Sequence, residues 1–276
     1  MIRNKMIPMI ALLLLVGAIS VWGADRPVTV ALIPDGLSQP ERMPLQNYLA
    51  EHLGREVRVF VPNSYKEAVD GLADGNVDFA CLGALMYVRA KAKFGVVPLV
   101  QRSSDLQFHS VFITNSSSIH SLRDLKGKKF AFGDINSASA HLMPYVELKR
   151  AGMNPESDFQ FRYSGAHDIT VKLVESGIVD AGVTDETVFN SMIGSGKIDR
   201  SKVRVFYTSK PYVDYAYVAR KGIPDSVREK FVEAFLDLKE GKDDQVLKIL
   251  RANHYVKVND EEYASLRQVA RELNMF

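Results

Sequence analysis

A chain of 276 residues can bury more than one core without covalent staples, and its single cysteine, Cys81, leaves no intrachain disulfide framework. With 35 Lys and Arg against 33 Asp and Glu, the formal net charge is +2. Such a balance argues against nucleic acid or an anionic membrane surface as the main partner, since both are bound through many uncompensated cations. Any anion site must therefore be local.

The first run, MIRNKMIPMIALLLLVGAISVWG, places Arg3 and Lys5 before an apolar stretch from Met6 to Trp22, followed by small residues. This is the pattern of a secretory signal, with cleavage expected before Ala24. A retained anchor is the competing reading, but the stretch falls short of the ~20 apolar residues that a bilayer requires and carries Pro8. No cysteine follows it to carry a lipid. Removal of residues 1–23 leaves 33 basic and 33 acidic residues.

Beyond Arg26, VTVALI reads as a short strand, PDGLSQPER as a polar break, and Met43 to His52 as an amphipathic helix. Residues 56–61 (EVRVFV) form the next expected strand. A helix follows from Ser64 to Asp74, with Ser64 as its cap and Glu67 three residues on. Val77 to Leu82 reads as a buried strand, Ala84 to Ala92 as a helix, Val96 to Gln101 and His109 to Thr114 as strands. Cys81 lies in the apolar run VDFACLGALMYV, where burial is the expectation. Alternation of this kind predicts parallel sheets covered by helices on both faces.

After the polar stretch NSSSIHSLRDLKGKK, a second block repeats the scheme: strand KFAFG, helix Ser139 to Ala151, strand FQFRYS, helix His167 to Ser176, strand VDAGVT. Two more β-like runs, VRVFY and YAYVA, precede a helical segment from Ser226 to the end. That segment is expected to lack strands and to pack back on the first block. Crossings between the blocks are expected near residues 112–120 and 207–214. Two lobes joined by paired crossings form a hinge able to close over a ligand, whereas a rigid single domain is the competing arrangement.

The sharpest local signal is FAFGDINSASAHLMP, in which a strand ends at Gly133 and a helix begins near Ser139. Free first-turn amides with the Ser137 and Ser139 hydroxyls suit an oxyanion, and the same serines also suit a plain helix cap. A second such turn, RYSGAHDITVKLV, brings His167 to a helix start. Both turns lie at strand carboxyl ends, the edge where ligands collect in open α/β sheets. Asp185 and Glu186 end VDAGVT, and Asp214 lies in the second crossing. Acids there fit a ligand that carries an ammonium group or a protonated oxyanion whose hydroxyl needs an acceptor, with surface carboxylates as the alternative. Tyr65 and His109 are candidate donors from the first lobe or simple packing residues. HExxH, CxxC, GxSxG, an acidic calcium loop and GxxxxGK are all absent, so metal, cofactor and hydrolase chemistry have no motif behind them.

Three runs, PNSYKEAVDGLADGNVDFACLGALMYVRA, HSVFITNSSSIHSLRDLKGKKFAFGDINSASAHLMP and SGAHDITVKLVESGIVDAG, resemble the phosphate/phosphite/phosphonate-binding proteins of ABC transporters. The resemblance spans nearly all of the chain after the leader. It implies a two-lobed α/β type 2 periplasmic binding protein with an interlobe cleft, lobe 1 comprising 24–112 and 214–276 and lobe 2 comprising 113–213. The family's serine, threonine, serine, glycine loop falls on Ser137, Ala138, Ser139 and Ala140, so two of four positions depart, and Ala138 offers only its amide. His167, Tyr65 and Asp214 match the family's histidine, first-lobe tyrosine and late aspartate. His109 stands where a tyrosine is common, and Asp185 or Glu186 lies near a family acid. The resemblance implies a non-enzymatic protein of the periplasm without cofactor or metal, and without an embedded membrane segment once processed. Its ligand would be a small phosphorus oxyanion and its partner an ABC permease. A module that signals occupancy to a membrane receptor or sensor kinase is the alternative.

Overall fold

Short β-rich runs separated by capped helices build two sheets. The structure is a computed structural model and describes residues 26–34 and 37–275, so the expected signal segment 1–23 lies outside the described residues. The strands are β1 (Val28–Ala31), β2 (Val57–Phe60), β3 (Phe79–Leu82), β4 (Val97–Arg102), β5 (Ser110–Thr114), β6 (Lys129–Phe132), β7 (Gln160–Tyr163), β8 (Ala181–Asp185), β9 (Arg204–Thr208), β10 (Ala216–Ala219) and β11 (Tyr255–Lys257). The first sheet has the order β11-β4-β10-β3-β1-β2 and the second β7-β6-β8-β5-β9. Each has a parallel centre, β2-β1-β3 and β7-β6-β8. Apart from β11, the antiparallel pairings involve strands next to the passages between the sheets.

The helices are α1 (Gln39–Leu53), α2 (Tyr65–Asp74), α3 (Ala84–Phe94), α4 (Met143–Arg150), α5 (Pro155–Asp158), α6 (His167–Glu175), α7 (Glu186–Gly194), α8 (Asp225–Leu236), α9 (Asp244–Leu250) and α10 (Ala264–Glu272). The Ser64 hydroxyl accepts from the Glu67 amide, as its spacing predicts. α1 starts four residues before the expected Met43, because Ser38 caps it and the Ser38 amide donates to Glu41. One face of the first sheet buries Val30, Val59 and Phe79 under α1, α8 and α9, and Phe231 stacks on Phe79 with centroids 4.0 Å apart. The other face packs α2, α3 and α10 on Ala80, Leu82 and Val218. The carboxyl-terminal segment thus covers the first sheet. It also supplies β11 to the edge beside β4, a three-residue strand too short for its periodicity to show in the sequence.

The first boundary differs from the expectation. β5 pairs with β8 and β9, so the chain leaves the first sheet after Arg102 and has entered the second by Ser110, and a boundary between 112 and 113 would cut a strand. The run HSVFIT reads as a strand whichever sheet receives it, which is why its pattern did not disclose the partner. The return passage, residues 209–215, lies within two residues of the expected position. The two passages run side by side, with Phe108 and Tyr212 exchanging backbone hydrogen bonds of 2.8 and 3.0 Å. Cys81 is half-buried on β3. No helix among the described residues is long and apolar enough to cross a membrane.

Gly182 on β8 has no room for a side chain, since a Cβ there would lie 2.8 Å from Thr170 Cγ2 and 3.0 Å from the Ala131 carbonyl oxygen. Gly182→Ala is expected to lower unfolding free energy by about 1–3 kcal/mol in urea denaturation. Gly194→Ala is the control: the site is open, and a helical alanine there should be neutral or stabilising by up to ~1 kcal/mol.

Candidate functional site

Five connections at strand carboxyl ends meet between the lobes. β2 leads to Tyr65 at the start of α2, and β3 leads through Gly83 to the amide of Ala84. β6 ends in the serine turn, β7 leads to His167 at the start of α6, and β8 ends in Asp185. The second passage adds Asp214 and Tyr215. Tyr65, Ser137, Ser139, His167, Asp185, Asp214 and Tyr215 are all at most 2% exposed. Gly83 lies at the meeting point: a Cβ on it would make ordinary contacts with Asp214 Oδ1 at 3.6 Å, the Tyr215 ring at 3.7 Å and the Tyr65 ring at 3.9 Å.

His167 is the centre of the cluster. The Asp185 amide lies 3.2 Å from its Nδ1 and donates to it, which assigns the ring proton to Nε2. Nε2 lies 2.9 Å from the Tyr65 hydroxyl of the first lobe and 3.1 Å from the Tyr215 hydroxyl of the passage. Burial raises the pKa of both tyrosines well above the ordinary value, and the charge on Asp185 acts in the same sense. Both hydroxyls therefore keep their protons and serve as neutral donors.

The serine turn is both a cap and a part of the cluster. Ser137 Oγ accepts from the Ala140 amide at 3.0 Å. Ser139 Oγ lies 3.5 Å from Ser137 Oγ, and the Ser139 carbonyl accepts from Ser110 Oγ at 2.6 Å. Ser110 in turn lies 2.7 Å from the Tyr212 hydroxyl. The first turn is wide, with the Leu142 amide reaching back five residues to the Ser137 carbonyl. Turns of this π type recur at functional sites. Ala140 fits because residue 133 has no side chain; a Cβ on Gly133 would come within 2.4 Å of the Ala140 Cβ.

The two acids differ. Asp185 caps α7, with Oδ1 accepting from the Thr187 and Val188 amides and the Thr187 hydroxyl at 2.6, 2.9 and 2.7 Å. Burial opposes its charge, yet Arg102 and these donors hold its carboxyl below the usual range. Asp214 Oδ1 accepts from the Ala84 amide at 2.8 Å. Burial pushes its carboxyl up to about 8, against the Ala84 bond and with help from Asp105 and Asp185. The nearby Ser139 hydroxyl acts against this rise. Oδ2 of each acid is buried without a hydrogen-bond partner.

Of the expected residues, the structure brings together Tyr65, Ser137, Ala138, Ser139, His167, Asp185 and Asp214. His109 belongs to the first passage, where its Nδ1 pairs with the Ser209 carbonyl at 2.8 Å. Glu186 is half-buried at the first position of α7. Tyr215, Tyr212, Ser110, Thr187 and the buried Arg102–Asp105 pair were not anticipated. The two tyrosines flank Asp214 in YVDYAYVA, so the second crossing carried a usable signal; an Arg and an Asp three residues apart look like solvated charges.

Residues 37–263 match the family model described as the phosphonate periplasmic substrate-binding protein of ABC transporters. The chain belongs to this family. It is 30% identical over 242 residues to a probable ABC transporter phosphite binding protein, PhnD1, of Prochlorococcus marinus (strain MIT 9301), covering 82% of each chain. The solved structure of that PhnD1 with methylphosphonate superposes with a TM-score of 0.82 at 27% identity, over 90% of this chain and 98% of that one. A phosphate-import protein, PhnD, of Mycolicibacterium smegmatis is 26% identical over 231 residues, 77% of this chain and 72% of that one. The two-lobed type 2 binding-protein fold of the family is the one described above.

The serines separate by experiment. Ser137→Ala is expected to lower the stability of the free protein by about 1 kcal/mol through loss of the cap. Ser139→Ala, which caps nothing, should leave the melting temperature within a degree or two while weakening anion binding by roughly 1–3 kcal/mol in calorimetry. Asp214 gives a pH signature. Its folded pKa, about 8, lies above the unfolded value, so the folded state keeps a proton that the unfolded state releases. Stability should therefore fall as pH rises from about 4 to 8 and level off above. Asp214→Asn should remove that slope, so that the variant gains on the parent steadily between pH 5 and pH 8.5 in urea titrations.

Proposed function

We propose that the protein captures a small phosphorus oxyanion, phosphite or a small phosphonate, outside the cytoplasm and offers the closed form to an ABC permease. The supporting observation is the buried cluster itself. Tyr65, Tyr215, Ser139 and His167 present hydrogens, and Asp185 and Asp214 each hold one carboxylate oxygen in reserve. An ion with several ionised oxygens and one hydroxyl, or with an ammonium tail, satisfies both kinds of group. The leader pattern of residues 1–23 supports export, and kinship with transporter binding proteins supports uptake over signalling. The role is binding without turnover.

Asp214 gives the site its selectivity. With a carboxyl near 8, Asp214 and the ligand share one proton at neutral pH: a protonated Asp214 donates to an ionised oxygen, or an ionised one accepts from a P–OH group. Calorimetry with phosphite, methylphosphonate, 2-aminoethylphosphonate and phosphate at pH 6 and pH 8.5 tests this. Binding by the parent protein should weaken above pH 8 as the shared proton is lost. Asp214→Asn turns a donor amide toward the ligand while its oxygen keeps the Ala84 bond. It should weaken the aminophosphonate and protonated phosphite most, and spare or strengthen the phosphate dianion. Failure of all four anions to bind at millimolar concentration would remove the ligand assignment, and equal losses for all four in Asp214→Asn would make Asp214 a packing residue.

A further inference from the structure

The hinge contains a buried ion pair whose third guanidinium nitrogen reaches the second lobe. Arg102, the final residue of β4, is 7% exposed and grips Asp105 of the first passage with Nε and Nη2, at 2.8 and 2.6 Å. Its guanidinium carbon stands 5.2 Å from the centroid of the Tyr215 ring and 5.8 Å from that of Phe108. The Asp105 carbonyl accepts from the Asp214 amide at 3.0 Å. The remaining nitrogen, Nη1, lies 3.3 Å from Thr187 Oγ1 on α7.

That hydroxyl is already committed. Thr187 Oγ1 donates to Asp185 Oδ1 at 2.7 Å, and the Asp185 amide holds His167 Nδ1. An unbroken chain of contacts therefore runs from Asp105 through Arg102, Thr187 and Asp185 to His167. Buried ion pairs are poor sources of stability, because taking two charges out of water consumes most of their attraction. What this pair supplies is geometry: a planar donor fixed on one side by a carboxylate and on the other by an aromatic face has little freedom left at Nη1.

We infer that Arg102 is a positioning residue for the anion site, holding Thr187 and Asp185 so that His167 keeps its Nε2 proton directed at the Tyr65 and Tyr215 hydroxyls, which are thereby set to donate to the ion, and backing the Tyr215 ring. This rests on reading the cluster as an oxyanion site. Arg102 acts on the bound ion through other residues. A lysine in its place carries the same charge but cannot hold Asp105 and reach Thr187 at once.

The test uses Arg102→Lys, Thr187→Val and the double variant, with phosphite and methylphosphonate as probes in calorimetry. The imidazole nitrogens of His167 are read by 15N NMR in the free protein and assigned with His167→Gln. Each single change should weaken binding roughly tenfold, and the double change no more than the worse single, because both cut one path. In each variant the His167 signals should move from a single Nε2–H tautomer toward a mixture. Losses that multiply to about a hundredfold in the double variant, or unchanged His167 signals, would overturn the inference. Should Arg102→Lys fail to fold, Thr187→Val decides through the same signals. If the parent protein binds neither probe, the ligand assignment fails, while the NMR comparison still decides the chain of contacts.

Discussion

Two short lengths of backbone, laid side by side between the sheets and tied at Phe108 and Tyr212, are the constraint on which the rest of the molecule depends. Because both passages start and finish in sheet strands, the strand ends of the two lobes face one another, close enough for Tyr65 of one lobe to meet His167 of the other at 2.9 Å. The groups of the candidate site come from such ends and from the passage between them. Tyr65 and the Ala84 amide come from one side, Ser139, His167 and Asp185 from the other, and Asp214 with Tyr215 from the passage itself. Placing ligand groups on the passage means that any rotation about it alters the site directly.

Read as an anion site, the cluster has few cations. Arg102 is occupied by Asp105, and three acids, Asp105, Asp185 and Asp214, lie within electrostatic reach of one another. Attraction must therefore come from oriented neutral donors in a dry setting, where hydrogen bonds to charge are worth more than in water. On that reading the acids discriminate: the partnerless oxygen of ionised Asp185 penalises a ligand that brings no hydrogen to it, and protonated Asp214 one that brings no acceptor. Tyrosine hydroxyls suit the donor role because burial drives them further from ionisation, whereas the same burial drives Asp214 toward its neutral form.

Much of this was legible in the sequence for identifiable reasons. The alternation of apolar runs and capped helices disclosed two α/β lobes, and Ser64 with Glu67 marked a helix start to the residue. Strand ends followed by small polar turns pointed to Ser137, Ser139 and His167, because that junction always exposes helix amides. Pairing was illegible: HSVFIT announces a strand and not its sheet, so the lobe boundary fell ten residues late, and YVK is too short to show a period. Arg102 and Thr187 were hidden for a related reason. Their importance comes from a contact between residues 85 positions apart, and neither residue type signals burial. His109 lies on the first passage, with its Nδ1 paired to the Ser209 carbonyl.

The place of β10 in the first sheet has a consequence for how the chain acquires its structure. β3 and β4 are not neighbours; β10, made only after the entire second lobe, is the strand that joins them. A growing chain that has produced 215 residues holds the β2-β1-β3 ribbon with an open edge and β4 without a partner. The first lobe is thus begun first and finished last. Its folding must wait for pairings of high sequence separation, which are slow to form. Until β10 arrives the first sheet stays incomplete between β3 and β4, which favours a chain that must be threaded through a narrow pore before it finishes folding.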